Sequence, residues 1–478
     1  MSNNSYVVED GEMGRAQVEQ AWAAGAIPHV DMNPILLKPV SDTKSQVILN
    51  GKIWKPQSNA MDYFSPNFLS TLYTDTVLPS LTRLTESNDV VVIEGAGSCA
   101  EVNLWDKDIV NWKVALAANA KVIIVADIER CGVFAQLLGT FTLLPPEYKN
   151  LVCGFVVNKF RGDRNLFLDG VKFIEDHSKL PVLGVIPMNR EIHIDSEDGL
   201  MPYSVIDPPL SASINPEKIN IAVLLLPHAS NITDFHPLER EPAVNLNYLF
   251  HPRNLINYDV VIIPGTKNTI DDLRWMKSIG WLRSFEDIKT SNAMVIGICG
   301  GYQILGQKID DVAGMEGGGI EEGLSLLDVE TKLLPNKCLK RVQMNCWLQG
   351  LSKELSIDGY EIHTGETKPV RRENQKRSTV TVMKDSQNAN DHSSDQLFIY
   401  GAQSDSGKIW GSYLHGVFDD PIFRKELLTS IKSDAIKKYG TNQSVSITAY
   451  REQQYEALAD LFSKNFNVPE LNEILSKS

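Results

Sequence analysis

Residues 295–306 read V-I-G-I-C-G-G-Y-Q-I-L-G, and this stretch decides the fold of the second half of the chain. A short apolar run ends at a cysteine flanked by glycines, and a helical pattern follows at once, which predicts a strand, a sharp turn and a helix. Cys299 would lie on the turn, beside amide groups at a helix N-terminus, where a sulfur is suited to attack an acyl carbon. A buried structural cysteine is the alternative.

Two other apolar runs end in residues that would complete such a site. Residues 409–418, I-W-G-S-Y-L-H-G-V-F, place His415 at the end of a predicted strand, and residues 260–269, V-V-I-I-P-G-T-K-N-T, end a strand at Gly265. Open α/β sheets build their sites at the carboxyl ends of parallel strands, so we expect these ends to meet. Taken alone, His415 suits a base, a metal ligand or a buried structural histidine equally well.

Bulk composition bounds the class of protein. The 478 residues predict two domains or three, and 43% hydrophobic with 22% charged residues is typical of a globular chain. A net charge of -14 argues against a nucleic-acid surface. The six cysteines lack metal-ligand spacing and indicate reduced thiols in a cytoplasmic protein, and no apolar run is long enough to span a membrane.

The first part of the chain predicts a parallel sheet covered on both faces, because short apolar runs alternate with helix-length segments. The predicted strands are residues 89–94, 121–127, 151–158 and 181–187. Glu94, followed by G-A-G-S, is a candidate magnesium ligand, although an ordinary turn would look the same. Asn158 and Lys159 are candidates for contacting a nucleotide, and a solvated charged loop is their alternative interpretation.

Five motifs together carry a resemblance to a known family. G-I-C-G-G-Y-Q, Y-L-H-G and P-G-T-K-N in the second half, with E-M-G-R-A-Q and D-M-N-P-I-L-L-K-P near the start, resemble the cobyric acid synthase family of glutamine amidotransferases. The resemblance implies that Cys299 attacks the glutamine amide and His415 moves the proton. It further implies that the amides of Gly265 and Gly300 hold the oxyanion and that Gln303 helps to seat glutamine.

One position departs from most class I glutaminases, which carry a glutamate two residues after the histidine. Val417 occupies it here, and the cobyric acid synthase family likewise lacks the acid, so the group that orients His415 stays open. Asp419 and Asp420 are near in sequence, but nothing in the sequence places either on the ring. His363, in Y-E-I-H-T-G, is expected to line the site rather than act as the base.

The resemblance also implies a substrate and a nucleotide. The reaction would be glutamine-dependent amidation of peripheral carboxylates of adenosylcobyrinic acid a,c-diamide, with ATP and Mg²⁺ activating each acid. Glu12, Arg15, Lys38 and Asp42 become candidates for holding the corrinoid or the nucleotide, with surface charge as the alternative. The sequence contains no G-x-x-x-x-G-K-[ST] loop, so we expect a synthetase domain that lacks its P-loop and first strand.

The predicted architecture is therefore a two-domain α/β protein. Residues 1–203 would form a P-loop-NTPase-like domain similar to dethiobiotin synthetase, residues 204–218 a linker, and residues 219–478 a class I glutamine amidotransferase-like domain on which a helix at 449–462 packs. A glutaminase or inactive remnant without an ATP-binding loop, and a non-enzyme that binds a corrinoid or a partner, are the alternative functions.

Overall fold

The chain divides into two compact units. The computed structural model describes residues 4–9, 11–41, 44–59, 65–195, 206–209, 213–288, 291–370, 379–381, 383–385, 400–441 and 446–476. The first unit comprises Met1–Asn59 and Asp195–Tyr450, and the second comprises Ala60–Ile194 and Arg451–Ser478. Asp42 and part of the predicted linker lie outside the described residues.

The described strands, in chain order, are β1 Ser5–Val8, β2 Gly11–Gly14, β3 Ile35–Ser41, β4 Lys44–Leu49, β5 Lys52–Asn59, β6 Val122–Asp127, β7 Val152–Phe160, β8 Val182–Pro187, β9 Ile219–Leu224, β10 Ala229–Ser230, β11 Val244–Leu249, β12 Val260–Ile263, β13 Gly265–Thr266, β14 Met294–Ile298, β15 Lys308–Asp311, β16 Gly319–Glu322, β17 Val329–Cys346, β18 Leu355–Pro369, β19 Thr379–Thr381, β20 Met383–Asp385, β21 Gly401–Ser404, β22 Ile409–Ser412 and β23 Leu414–His415.

The described α-helices are α1 Arg15–Ala23, α2 Pro66–Leu72, α3 Leu78–Ser87, α4 Trp112–Ala117, α5 Val133–Leu143, α6 Pro146–Lys149, α7 Leu168–Ser178, α8 His236–Glu239, α9 Thr269–Ile279, α10 Trp281–Ile288, α11 Gly300–Leu305, α12 Pro421–Tyr439, α13 Ile447–Asn465 and α14 Val468–Ser476.

The first unit is built on a central sheet with the order β11-β9-β12-β14-β22-β21-β19 among the described strands. The strands from β11 to β22 run parallel, and β21 and β19 continue the sheet antiparallel. β9 and β12 are buried at every position, since a parallel sheet covered on both faces needs uninterrupted apolar strands. The sequence predicted these parallel strands, and their carboxyl ends carry the site.

A second sheet packs into the same unit and supplies the other side of the site. Its order is β16-β15-β17-β18-β23 among the described strands, and β23 pairs with β18 so that His415 lies opposite Tyr360. The two residues of β23 come directly after β22 of the central sheet. His415 is therefore fixed between two sheets rather than carried on a loop.

The first 59 residues belong to this unit as well. The hairpin β1–β2, helix α1 and the antiparallel sheet β3-β4-β5 form the segment, and Val7 of β1 is buried against Tyr360 and Ile362 of β18. The sequence grouped residues 1–203 into one domain, and the structure groups them differently. The reason is this apolar contact with β18, which local sequence pattern does not encode.

The second unit has a parallel sheet of order β6-β7-β8 in its described part. Three of the four predicted strands are present, but the prediction for residues 89–94 is wrong. That segment is irregular, and its Val90 and Val92 side chains are 72% and 92% exposed. Its β-branched run favours a strand locally, yet no described strand pairs with it. A strand without a hydrogen-bonding partner is not stable.

The C-terminal helices also depart from expectation. The sequence placed the helix at 449–462 on the glutaminase domain, but residues from Arg451 onward group with the second unit. Phe466, which follows α13, is buried against Leu183 and Ile186 of β8, and the Asn467 amide donates to the Leu183 carbonyl at 2.7 Å. No helix of the described residues is long and apolar enough to cross a membrane.

Candidate active site

Cys299 lies on a strained elbow between β14 and α11. Its φ is 52° and its ψ is −110°, a conformation that costs free energy in a residue with a side chain. The turn is tight because α11 passes close to β12: a Cβ at Gly301 would lie 2.0 Å from the Ile263 carbonyl oxygen. The strand, elbow and helix predicted from the sequence are therefore present, with Cys299 as the last residue before the helix.

His415 is held by a carboxylate that the sequence did not identify. The Nδ1 atom of His415 lies 2.7 Å from Oδ2 of Asp234, and the other carboxylate oxygen accepts the Gly416 amide at 3.1 Å. Nδ1 therefore carries the proton that faces Asp234, and the second ring nitrogen is available to Cys299, with which His415 also shares a hydrogen bond. Cys299, His415 and Asp234 thus form a triad at the carboxyl ends of β14, β22 and β9.

The electrostatics of the triad favour a charged imidazole. Burial opposes the charge on His415, but the Asp234 carboxylate and the hydrogen bonds with Asp234 and Cys299 outweigh it and raise the pKa of His415 to about 10. A charged imidazole next to Cys299 can donate a proton to a leaving group. Tyr360 stacks on the imidazole at 5.3 Å with an interplanar angle of 17°, which keeps the ring in place.

The residues near His415 in sequence have other roles. Val417 is fully buried in the core, and Asp420 caps helix α12 by accepting the Phe423 amide at 2.7 Å. Asp234 comes 181 residues before His415, in the stretch N-I-T-D-F-H-P. An acidic side chain between Thr233 and Phe235 carries no local pattern that marks it as the partner of His415.

The structure brings Gly265, Gly300 and Gln303 to the same site. A Cβ on Gly265 would lie 3.3 Å from Cε1 of His415, and one on Gly300 would lie 3.0 Å from the Thr266 amide nitrogen, so both backbones border the triad. The Gln303 side chain forms hydrogen bonds to other residues of the protein. Its amide donates to the Thr364 carbonyl and the Tyr413 hydroxyl at 3.1 and 3.2 Å, and its oxygen accepts from Thr269 at 3.0 Å.

A cavity opens above the triad, and most of the residues that line it have polar side chains. Residues of the central sheet and its loops share this lining with residues from the first 59. The lining residues are Ser5, Lys38, Gln46, Ser230, Asn231, Thr266, Lys267, Thr269, Cys299, Gly300, Gln303, Met315, Glu316, Lys337, Ile362, His363, Thr364 and His415. His363 lines the cavity as expected, stacked on Tyr413 at 3.8 Å, and burial lowers its pKa to about 3.

The proposed corrinoid or nucleotide ligands of the N-terminal segment lie in the first unit. Glu12 is fully buried and forms ion pairs with Lys38 and with Lys337 of β17, the latter at 2.5 Å. Arg15 pairs with Glu19 at 2.8 Å. The structure therefore groups Glu12, Arg15 and Lys38 with the unit that contains the central sheet rather than with the predicted synthetase domain.

Asn158 and Lys159 lie in the second unit, at the carboxyl end of β7. Lys159 has a φ of 58° and forms an ion pair at 2.9 Å with Asp127, which ends the neighbouring strand β6. Glu94 is exposed on the irregular segment 89–97. The structure does not bring Glu94 to a strand end, as the magnesium hypothesis required.

Among the described residues, one group of three side chains has ligand atoms close enough to hold a metal ion: Cys338, Glu361 and His363. The Nζ atom of Lys340 lies 3.3 Å from the Glu361 carboxylate and already supplies a positive charge there. Glu94 is not a member of this group.

Comparison with known proteins assigns both halves of the chain. Residues 220–423 match the CobB/CobQ-like glutamine amidotransferase domain, and residues 42–195 match an AAA domain. The cobyric acid synthase of Chlorobium phaeobacteroides is 42% identical over all of this chain and 90% of its own length. Those of Chlorobaculum tepidum and a Thermoanaerobacter species are 42% and 39% identical, with 91% of each covered. A match of this extent shows that the chain belongs to the cobyric acid synthase family, with an AAA-type domain before a glutamine amidotransferase domain.

Proposed function

We propose that this protein hydrolyses glutamine at Cys299 and uses the ammonia to amidate peripheral carboxylates of a corrinoid, adenosylcobyrinic acid a,c-diamide. The observation that carries the proposal is the triad of Cys299, His415 and Asp234 at one edge of the central sheet. Family membership supports the same activity. The relatives that this chain matches over nearly their whole length are cobyric acid synthases, which favours neither the non-enzyme nor the glutaminase-only alternative.

The glutaminase half follows from the residues of the triad. The Cys299 sulfur attacks the carboxamide carbon of glutamine, and the amides of Gly265 and Gly300 stabilise the oxyanion. The imidazolium of His415 gives its proton to the departing nitrogen, so ammonia leaves and a thioester remains on Cys299. Neutral His415 then takes a proton from water as it attacks the thioester, which releases glutamate and returns the Cys299 sulfur and the protonated His415 to their starting state. Asp234 holds the imidazole in the required tautomer throughout.

The synthetase half rests on the family alone. ATP with Mg²⁺ would activate the corrinoid carboxylate for attack by ammonia. The AAA-domain match over residues 42–195, most of which lie in the second unit, supports nucleotide binding there. Lys159, Asp127 and Asn158 at the strand ends are the described residues best placed to contact a nucleotide. Glu94 lies on an exposed irregular segment, and its role as a magnesium ligand stays a prediction from the sequence.

The test compares two nitrogen sources. Wild-type protein given the corrinoid and ATP should form amide product with either glutamine or ammonium, whereas Cys299→Ala should use ammonium only. A second assay follows ammonia release from glutamine alone, where Cys299→Ala should show none. Glutamine-dependent product from Cys299→Ala would refute the assignment of the nucleophile. Failure of the wild-type protein to amidate the corrinoid from either source would refute the synthetase half.

A further inference from the structure

We propose that the cavity above Cys299 recognises the two charged groups of glutamine through walls of opposite charge, with Glu316 binding the α-ammonium and Lys38 and Lys337 binding the α-carboxylate. The inference rests on the proposed glutaminase function and adds the residues that select its substrate. It also makes the first 59 residues part of the glutamine site, because Lys38 comes from β3.

The anionic wall is the Glu316 carboxylate. One of its oxygens accepts the Thr269 amide at 2.9 Å, and the other accepts the Thr364 hydroxyl at 2.5 Å. Both donors are neutral, and burial raises the pKa of Glu316 because nothing of opposite charge offsets its desolvation among its main interactions. A carboxylate anchored in this way on a cavity wall is suited to an incoming ammonium group.

The cationic wall is a buried cluster of two lysines around one carboxylate. Lys38 and Lys337 both pair with Glu12, Lys38 also donates to the Ser5 hydroxyl at 2.9 Å, and Lys337 contacts Gln46 at 3.3 Å. Two ammonium groups share one carboxylate, so these three side chains carry a net positive charge.

Burial of this charge is costly, and its effect is visible on Lys38. Burial lowers the pKa of Lys38 to about 8, the repulsion from Lys337 adds to the effect, and Glu12 opposes it. A carboxylate bound at the cavity would supply the missing negative charge. Lys38 and Lys337 both line the cavity, together with Glu316 and Cys299. A zwitterion that reaches Cys299 with its carboxamide therefore meets a wall suited to each of its charges.

The N-terminal segment is held over the triad by direct contacts. The Ser5 amide donates to Oδ1 of Asn231 at 3.2 Å, and the Nδ2 atom of Asn231 lies 3.5 Å from Nδ1 of His415. The Tyr6 ring lies 4.6 Å from that of Tyr360. Lys38 is thus presented to the cavity by the same segment that contacts the environment of the catalytic histidine.

The experiment measures kcat/KM for ammonia release from three amides. They are L-glutamine, glutaramate, which lacks the α-ammonium, and 4-aminobutanamide, which lacks the α-carboxylate. Wild-type protein should prefer glutamine to each truncated amide by about 10- to 100-fold, the value of a hydrogen bond between charged groups. Equal rates with all three in the wild-type protein would overturn the proposal without any variant.

The variants assign each wall. In Glu316→Gln, kcat/KM should fall about 10- to 100-fold for glutamine and little for glutaramate. In Lys38→Met, kcat/KM should fall as much for glutamine and little for 4-aminobutanamide. Lys337→Met provides the same test if Lys38→Met does not fold. Lys52→Met, which replaces an exposed lysine of the same segment, is the matched control and should leave kcat/KM for all three amides unchanged. Equal losses on all three substrates would show a structural role and overturn the proposal. Absence of ammonia release by the wild-type protein would instead refute the proposed function.

Discussion

Replacement of Asp234 by asparagine tests the triad most directly. The side chain keeps its size, but its single carbonyl oxygen cannot accept both the Gly416 amide and Nδ1–H of His415, so one of these two hydrogen bonds is lost. A hydrogen bond to a charged group contributes about 1.5–3 kcal/mol, and about 1.4 kcal/mol is tenfold in rate, so kcat/KM for glutamine should fall about 10- to 150-fold.

The same variant should change the pH dependence of glutamine hydrolysis. In the wild-type protein, Asp234 overcomes burial and raises the pKa of His415 to about 10, so the imidazolium persists until the pH approaches that value. Without the carboxylate, burial dominates and lowers the pKa. The alkaline limb of kcat/KM should therefore move from near pH 10 to lower pH in Asp234→Asn. Stability follows the same sign: the contribution of His415 is fully present below its usual pKa of 6.5 and is lost as the pH rises through about 10.

The assay is ammonia release from glutamine between pH 6 and the onset of unfolding, with a thermal melt at each pH. Asp420→Asn is the matched control, because asparagine caps a helix as well as aspartate does and the residue caps α12. Its rate and pH profile should equal those of the wild type. An unchanged alkaline limb in Asp234→Asn, at full activity, would refute the role given to Asp234.

Two further substitutions test packing around the site and in the second unit. Gly265→Ala places a Cβ 3.3 Å from Cε1 of His415. Because such crowding costs about 1–3 kcal/mol, kcat for glutamine should fall about tenfold or more. An unchanged kcat would contradict this prediction. Phe466→Ala removes a buried ring from the β8 surface and should lower the free energy of unfolding of the second unit by about 3–5 kcal/mol in urea titrations. Leu458→Ala, at a side chain 41% exposed, should cost less than about 1 kcal/mol, and equal losses for the two variants would refute the packing.

Local sequence pattern predicted the elements that carry Cys299, the proposed nucleophile. An apolar run, glycines and a helical pattern specify the elbow at Cys299, because strand, turn and helix each leave a local signature. The strand ends at Gly265 and His415 follow from the same rule, and the parallel order of their strands brings them together. These parts of the site depend on short-range pattern and a general property of α/β sheets.

The remaining parts depend on contacts between residues distant in sequence. Asp234 reaches His415 only because the loop after β9 folds over β23, and Glu316 becomes a cavity wall only through Thr269 and Thr364. The position of Lys38 depends on the packing of β1 against β18. Residues 89–94 show the converse, a strong strand pattern that pairs with no described strand. Single-sequence patterns cannot rank such tertiary outcomes.

The discontinuous first unit has a consequence for biosynthesis. Ser5, Tyr6 and Lys38 emerge early from the ribosome, but β17 and β18, against which they pack, are made some three hundred residues later. At translation rates of about 5–20 residues per second, the early segment waits on the order of 15–60 s for its partners. During that interval its apolar side chains are open to chaperones or to aggregation. Slow synthesis or low temperature should therefore reduce the yield of native enzyme more than the stability of the finished protein would suggest.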